Sequence, residues 1–359
     1  MKFDLEEQQT ALMDSLARCL DRELTRQRLL GIVDSDDGHD TDLWRTLGEL
    51  GVFGIVVPEA YGGVGLGMLD AAVVAEVLGA YGTPGPFLGQ MLAALAISEG
   101  GSDAQKERWL PPLASGACVG TVALGEVGER WQPDQWQLPP GASLTGRKTH
   151  VLYPEPAEVM VVGVAGGGLA LVEEPAARVR VQPIPCLDPT RRLAHVELQG
   201  AVAQPLQMDG SRLRDAALVL LAADAFGGAR RCVDMAVAYA LEREQFGAVI
   251  GRFQALKHQL ANMATEVEPA RGLYWYAAHA LDVVPGEAAR MAALAKAHVT
   301  DRFQQAARDA TEAHGGIGYT WEYPLHIWLK RAIFDRTYLG SPTVHRRRCA
   351  ELAGWQSVA

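Results

Sequence analysis

The residues best suited to chemistry form two short groups in the C-terminal part of the chain. Arg243 is followed closely by Gln245 and Phe246, and a Gly315–Gly316 pair comes later. A guanidinium makes paired hydrogen bonds to phosphate oxygens, and glycine allows backbone to approach a ligand closely. These residue types favour a phosphate-bearing ligand. A surface salt bridge between Arg243 and Glu242, or a nearby acid, is the plain alternative.

The elements that must position these residues fall into three segments. Residues 1–116 carry apolar side chains at helical spacing, which predicts a helical domain. Residues 117–207 are rich in Val, Gly and Pro, and short apolar runs such as 159–164 and 169–172 are typical of strands. Helical patterns return over residues 208–359. We therefore predict an α+β fold with an N-terminal helical domain, a middle β-barrel-like domain and a C-terminal four-helix bundle.

Within the C-terminal segment, one apolar stripe predicts a buried helix. Its members recur at steps of three and four: Phe253, Leu256, Leu260, Met263 and Val267. Pro269 follows and is expected to kink or interrupt the helix.

Composition limits the classes of partner. The chain has 359 residues and a net charge of −10, which argues against nucleic acid. The apolar run 216–223 is too short to cross a bilayer, so no membrane insertion is expected. Five scattered cysteines lack metal spacing, so we predict no metal site and reduced thiols. The first seven residues contain no apolar signal core, so a cytoplasmic location is expected.

Three motifs resemble those of the acyl-CoA dehydrogenase family. They are the run from Arg243 to Gln254, the His-Gly-Gly-Ile-Gly-Tyr run 314–319, and the Tyr-Leu-Gly-Ser run 338–341. The order of helical, β and helical segments also matches that fold. The resemblance covers nearly the whole chain and implies an FAD-dependent enzyme that dehydrogenates an acyl-CoA thioester and passes electrons to electron-transferring flavoprotein.

The resemblance assigns FAD binding to six residues: Arg243, Gln245, Phe246, Gln254, Gly315 and Gly316. In the family the arginine reaches the FAD pyrophosphate of a neighbouring subunit, and the aromatic residue packs near the adenosine. Glu312 is a departure, because it stands where the family has glutamine and a carboxylate is repelled by phosphates.

Other positions depart further from the family pattern. Leu339 stands at the catalytic glutamate. Gly125 replaces the threonine that hydrogen-bonds the flavin ring, His150 replaces the tryptophan that covers the flavin, and Leu152 replaces the threonine near flavin N5. Ala217 occupies the second position at which some members carry their base. The resemblance therefore assigns no catalytic residue in this chain.

A missing base matters because the α-proton of a thioester is weakly acidic, and a positioned base contributes about two to four orders of magnitude in rate. Leu339 cannot accept a proton. One alternative is a base elsewhere, at Asp215, Asp224 or Glu126. Another is that His150 carries a proton if a ligand binds nearby.

The residues that a subunit contributes to its neighbour's FAD are kept, whereas those that serve its own flavin and substrate are replaced. This pattern indicates the base-less subunit of a heterotetrameric acyl-CoA dehydrogenase of the actinobacterial type that degrades steroid side chains. Its partner, a homologous subunit, would supply the glutamate. Two hypotheses stay open beside it. One is a homomeric enzyme, such as a homotetramer, with different chemistry, for example β-elimination of the desulfinase kind. The other is a non-catalytic scaffold.

Overall fold

The computed structural model describes residues 4–355, beginning with a helical segment. Its six helices are α1 (Glu7–Glu23), α2 (Arg26–Val33), α3 (Thr41–Glu49), α4 (Met68–Ala80), α5 (Phe87–Gly100) and α6 (Asp103–Ser115). Apolar residues at helical spacing form the buried face of each; in α1 these are Leu16, Cys19 and Leu20. Helices α4 and α5 are apolar on nearly all sides because both lie inside the main core.

Six strands follow: β1 (Gly120–Ala123), β2 (Ser143–Leu152), β3 (Val159–Val164), β4 (Gly168–Glu173), β5 (Val179–Ile184) and β6 (Leu193–Leu206). They form one sheet in the order β1-β3-β4-β6-β2, and β5 also pairs with β6. Only the β1–β3 pairing is parallel. A bridge between Gly125 and Thr149 brings the chain after β1 onto β2, so the sheet curls towards closure.

From residue 210 to the last described residue, 355, the elements are helices apart from one hairpin. They are α7 (Gly210–Glu242), β7 (Glu244–Gln245), β8 (Ala248–Val249), α8 (Gln254–Val267), α9 (Ala270–Val283), α10 (Pro285–His314), α11 (Leu325–Thr337) and α12 (Pro342–Leu352). The long helices α7 and α10 pack along each other, and α9, α11 and α12 pack against α10. Their buried faces continue the main core of the N-terminal helices, whereas the sheet has a second core of its own.

These observations confirm the predicted fold class, and Pro269 interrupts the helical run between α8 and α9 as expected. The prediction that α8 is a buried helix is wrong over its first half. Only Met263 and Val267 are buried, and Phe253 is 39% exposed. The domain boundaries at 116/117 and 207/208 stay a prediction. Between residues 4 and 355, no helix is both long and apolar enough to cross a membrane.

A buried arginine joins the three segments. The guanidinium of Arg331, on α11, donates to both carboxylate oxygens of Asp224 on α7, with Nε 2.8 Å from Oδ2. It also donates to the carbonyl of Thr83, between α4 and α5, at 3.1 Å and to the hydroxyl of Thr190, between β5 and β6, at 2.8 Å. One side chain therefore bonds to the helical N-terminal part, the sheet part and the C-terminal helices.

The pKa values of the two carboxyl groups at this junction are shifted in opposite directions. Burial opposes ionisation of Asp224, but Arg331 and Arg191 outweigh burial and lower the pKa of this carboxyl to about 2. Burial and the neighbouring Asp224 carboxylate raise the pKa of Asp335 well above its ordinary value. Asp224 is therefore the counter-ion of Arg331, and the environment of Asp335 favours its neutral form.

Asp224→Asn is expected to lower the free energy of unfolding by about 3–5 kcal/mol, because it leaves a buried guanidinium without its charge partner. Urea denaturation at neutral pH measures this. Asp335→Asn is the matched control, since Asp335 forms no ion pair among the described residues and the amide has a similar shape. Equal losses in the two variants would show that the Arg331–Asp224 pair is not the decisive contact.

Candidate functional site

The Arg243 motif lies on a hairpin that projects from the end of α7. Helix α7 ends at Glu242, and Gln245 pairs with Ala248 across a turn. In that turn Phe246 has a φ of 54° and its ring is 94% exposed. Within residues 4–355 the Arg243 guanidinium has no ion-pair partner. The alternative of a salt bridge with Glu242 is therefore not what the structure shows.

The glycine pair lies close to the same end of α7. Gly315 and Gly316 follow the last residue of α10, and Gly315 has a φ of 64°. A Cβ added at either glycine would meet no atom within 4 Å, so packing does not require glycine there. His314 stacks on Tyr239, one turn before Arg243, with ring centroids 4.5 Å apart. This contact holds the glycine pair beside the hairpin.

The structure thus brings the six predicted FAD-binding residues to adjoining pieces of backbone. Gln254 begins α8, next to Phe253, whose ring is 6.1 Å from that of Phe246. All six residues are exposed. His314 bonds to the Ala310 carbonyl through Nδ1 at 2.6 Å and is buried, which favours a structural role for it. These residues suit the diphosphate and adenosine of FAD, because a guanidinium without an ion-pair partner among the described residues and open backbone are both exposed there.

The segment after α11 holds a leucine where the family has its base. Leu339 is 1% exposed and has a φ of 61°. The buried ammonium of Lys296 donates to the carbonyls of Asp335 at 2.5 Å and Gly340 at 3.3 Å. Nε2 of His345 lies 3.1 Å from the Leu339 carbonyl. The backbone conformation around Leu339 is therefore tightly held, although its side chain offers no group that can move a proton.

A cavity of about 550 Å³ lies between the end of β2 and the loop that joins α11 to α12. It is lined by Glu129, Trp131, Gln132, Gln135, His150, Leu193, Phe334, Thr337, Tyr338, Gly340, Ser341 and Val344. His150 lies in a bulge of β2, where its φ is 55°, and Nδ1 of its ring has no hydrogen-bond partner within the described residues. Burial lowers the pKa of His150, and the adjacent His195 adds to the effect.

None of the three alternative bases reaches this cavity. The Asp215 carboxylate accepts two hydrogen bonds from Arg348, at 2.7 and 3.0 Å. Asp224 is the counter-ion of Arg331. Glu126 pairs with Lys148 at 2.6 Å and accepts two backbone N–H bonds. Although burial opposes it, these contacts lower the pKa of Glu126. All three carboxylates hold the structure together and are not free to take a substrate proton.

Trp131 is the residue of this cleft that the sequence reasoning missed. Its side chain is 9% exposed, and its ring centroid lies 5.5 Å from those of His150 and Tyr338. A Cβ built on Gly125 would lie 2.5 Å from the Trp131 ring, so the indole fills the space that glycine leaves. The one signal in the sequence was the glycine at position 125. Among the described residues, no group of three or more His, Cys, Asp or Glu side chains is arranged to hold a metal ion.

Comparisons with known proteins agree with this geometry. The family models for the acyl-CoA dehydrogenase N-terminal and C-terminal domains match residues 6–117 and 215–353. Acyl-CoA dehydrogenase IpdE2 of Mycobacterium tuberculosis is 34% identical over 353 residues, which is 98% of each chain. The solved structure of the Tcur3481–Tcur3483 steroid acyl-CoA dehydrogenase superposes with a TM-score of 0.90 at 30% identity, covering 97% of this chain and 98% of that one. A chain of the ChsE4–ChsE5 complex from M. tuberculosis superposes with a TM-score of 0.88 at 27% identity, covering all of both.

The buried His345 is expected to make stability depend on pH. Burial, with Lys296 adding repulsion, lowers the pKa of His345 to about 3. A histidine in an unfolded chain titrates near pH 6.5. Below about pH 6.5, the unfolded chain therefore binds a proton at His345 that the folded chain does not bind. This group then removes up to about 1.4 kcal/mol of stability per pH unit as the pH falls. His345→Gln is expected to lose that slope in urea denaturation between pH 7 and pH 5.

The control is His258→Gln, which changes an exposed side chain on α8. It is expected to keep the pH dependence of the unchanged protein. If His345→Gln also keeps that dependence, His345 does not stay neutral in the folded state.

Proposed function

The chain belongs to the acyl-CoA dehydrogenase family, and on that basis we propose that it is the base-less subunit of a heteromeric enzyme, in which it completes the FAD site of a homologous partner. The family's enzymes use FAD to oxidise a CH–CH bond of an acyl-CoA, and this chain is an oxidoreductase of that type. The proposal concerns the division of labour within such an enzyme.

The observation that carries the proposal is the Arg243 hairpin. Its guanidinium has no ion-pair partner in the described part of the chain, and the adjacent Phe246 ring is 94% exposed. A charged group and an aromatic ring placed together in solvent are suited to a ligand that is bound jointly with another molecule. In this chain's own cleft, by contrast, Leu339 is buried and no acid other than the exposed Glu129 lines the cavity.

The residues of this chain would then have the following roles. FAD would supply the acceptor for the hydride of the β-carbon. Arg243 would make paired hydrogen bonds to the diphosphate of FAD, and Phe246 would pack against the adenosine. Gly315 and Gly316 would let the backbone approach the cofactor closely, and Gln245 and Gln254 would offer side-chain amides to it. The base that removes the α-proton lies on the partner subunit.

The finer assignments rest on the same relatives. We extend the proposal to a heterotetramer that acts on an acyl-CoA with a steroid-derived acyl group, since one similar structure is that of a steroid acyl-CoA dehydrogenase and another is a complex of two named subunits. Electron-transferring flavoprotein is the proposed acceptor and the cytoplasm the proposed location. A homomeric enzyme with β-elimination chemistry finds less support, because it needs a flavin ring in the cleft that Trp131 enters.

Arg243→Ala is expected to weaken FAD binding to the mixed complex by about 10- to 150-fold, since a charge-assisted hydrogen bond contributes about 1.5–3 kcal/mol. The complex is made by co-expression with a homologous acyl-CoA dehydrogenase subunit. Flavin per heterodimer is then measured by absorbance, and affinity by titration of the apo-complex with FAD.

Arg180→Ala is the control, because it removes the same charge from an exposed position on β5, away from the hairpin. The unchanged complex is expected to hold one FAD per heterodimer. Full FAD affinity in Arg243→Ala would indicate a scaffold without a share in the site, and one FAD per chain in this subunit alone would refute the division of labour.

A further inference from the structure

Trp131 lies beside the positions that face the flavin ring in related enzymes. By the family motifs, those positions are Gly125 and His150. The indole packs on Gly125, and its ring centroid is 5.5 Å from that of His150 and 5.5 Å from that of Tyr338. We propose that the Trp131 indole takes the place of the flavin ring in this chain's own cleft and closes it to flavin. The inference rests on the proposed function, and it names the residue that keeps this second site out of use.

The loop that carries Trp131 is held at both ends. Before it, the backbone N–H of Glu126 donates to the Arg130 carbonyl at 3.3 Å, and the buried Glu126 carboxylate pairs with Lys148. After it, Gln132 accepts a hydrogen bond of 2.7 Å from the buried guanidinium of Arg214 on α7. Because a buried ion pair holds one end of the loop and a charge-assisted hydrogen bond holds the other, the indole is kept in the cleft.

The backbone around the indole adopts a conformation that non-glycine residues rarely take. Glu129, two residues before Trp131, has a φ of 56°, and His150, which faces the ring, has a φ of 55°. Each such residue costs about 1–3 kcal/mol and persists only where the surrounding structure holds it. Glu129 is in the loop of Trp131 and His150 is next to its ring, so the strained backbone positions lie in the segments that place the indole.

The charge of the cleft also opposes the rest of the cofactor. Among the residues that line the cavity there is no lysine or arginine, and Glu129 lies at its rim. A diphosphate entering there would meet a carboxylate and find no cation. The same chain thus offers an unpaired arginine to FAD at the hairpin and an acid at its own cleft.

A ligand that carries the flavin ring without the diphosphate tests the inference apart from the hairpin. The full-length chain, purified alone, is titrated with riboflavin, and quenching of flavin fluorescence is recorded. The unchanged chain is expected to show no saturation up to the highest riboflavin concentration used. Trp131→Ala is expected to saturate with a Kd at least about tenfold below that concentration, because a cavity left by a large apolar side chain can accept a planar aromatic molecule.

Two further variants serve as controls. Trp131→Phe keeps an aromatic ring in the cleft and is expected not to bind riboflavin. Trp109→Ala removes a similarly buried indole on α6, away from the cleft, and is also expected not to bind riboflavin. Riboflavin binding of equal strength in the unchanged chain and Trp131→Ala, absence of binding in both, or a gain in Trp109→Ala would each overturn the inference.

A stability measurement tests the contact between the indole and Gly125 without any ligand. Gly125→Ala is expected to lower the melting temperature, since its methyl group would meet the indole. The same change is expected to do less harm when Trp131 is already alanine, although the Thr149 carbonyl, 2.7 Å from that Cβ position, keeps part of the penalty. Strictly additive effects would show that the indole does not depend on glycine at 125.

The two proposals fail in different ways. If only Trp131→Ala binds riboflavin and Arg243→Ala does not change the FAD affinity of the complex, the proposal of a closed cleft is supported and that of a shared FAD site is refuted. If Arg243→Ala weakens FAD binding and the unchanged chain binds riboflavin, the shared site is supported and the closed cleft is refuted.

Discussion

A buried guanidinium holds the parts of this chain in register. Arg331 is 1% exposed, so each of its N–H groups must find an acceptor inside the protein, and it finds them on elements that are far apart in the chain. Asp224 supplies the charge, and Thr83 and Thr190 supply the remaining oxygens. Since a buried charge without partners is costly, these elements cannot shift independently. The relative placement of the sheet and the helices, and with it the cleft between them, depends on this contact.

Helix α7 separates two sites that differ mainly in exposure. Its 33 residues span about 50 Å at the usual helical rise. Near its start, Arg214 holds the Trp131 loop in place, and at its end the chain turns into the Arg243 hairpin. In the first region a buried aromatic ring lines the cavity beside Gly125, whereas the second leaves a cation and an aromatic ring in solvent. One helix therefore connects the cleft that we propose is closed to flavin with the surface that we propose meets a partner's cofactor.

Much of the fold could be read from local pattern, and the exceptions have a physical cause. The continuous apolar run 159–164 predicted a strand and became β3, because both faces of that strand are buried. Pro269 interrupted the helical run because it lacks an amide hydrogen. The apolar stripe of α8 wrongly predicted a helix buried along its whole length. Phe253 has the spacing of a buried residue, but it is exposed beside the hairpin. Periodicity records which side chains share a face, and it does not record what covers that face.

The sequence by itself determined the family and the absence of an acid at position 339, because leucine cannot take a proton wherever the backbone places it. It also determined which residues could meet FAD, since a guanidinium and glycines keep their chemistry in any setting. Only the tertiary structure decided that Glu126, Asp215 and Asp224 are bound in ion pairs and that Trp131 lies against Gly125. These outcomes depend on distances between groups remote in the chain, and packing sets such distances.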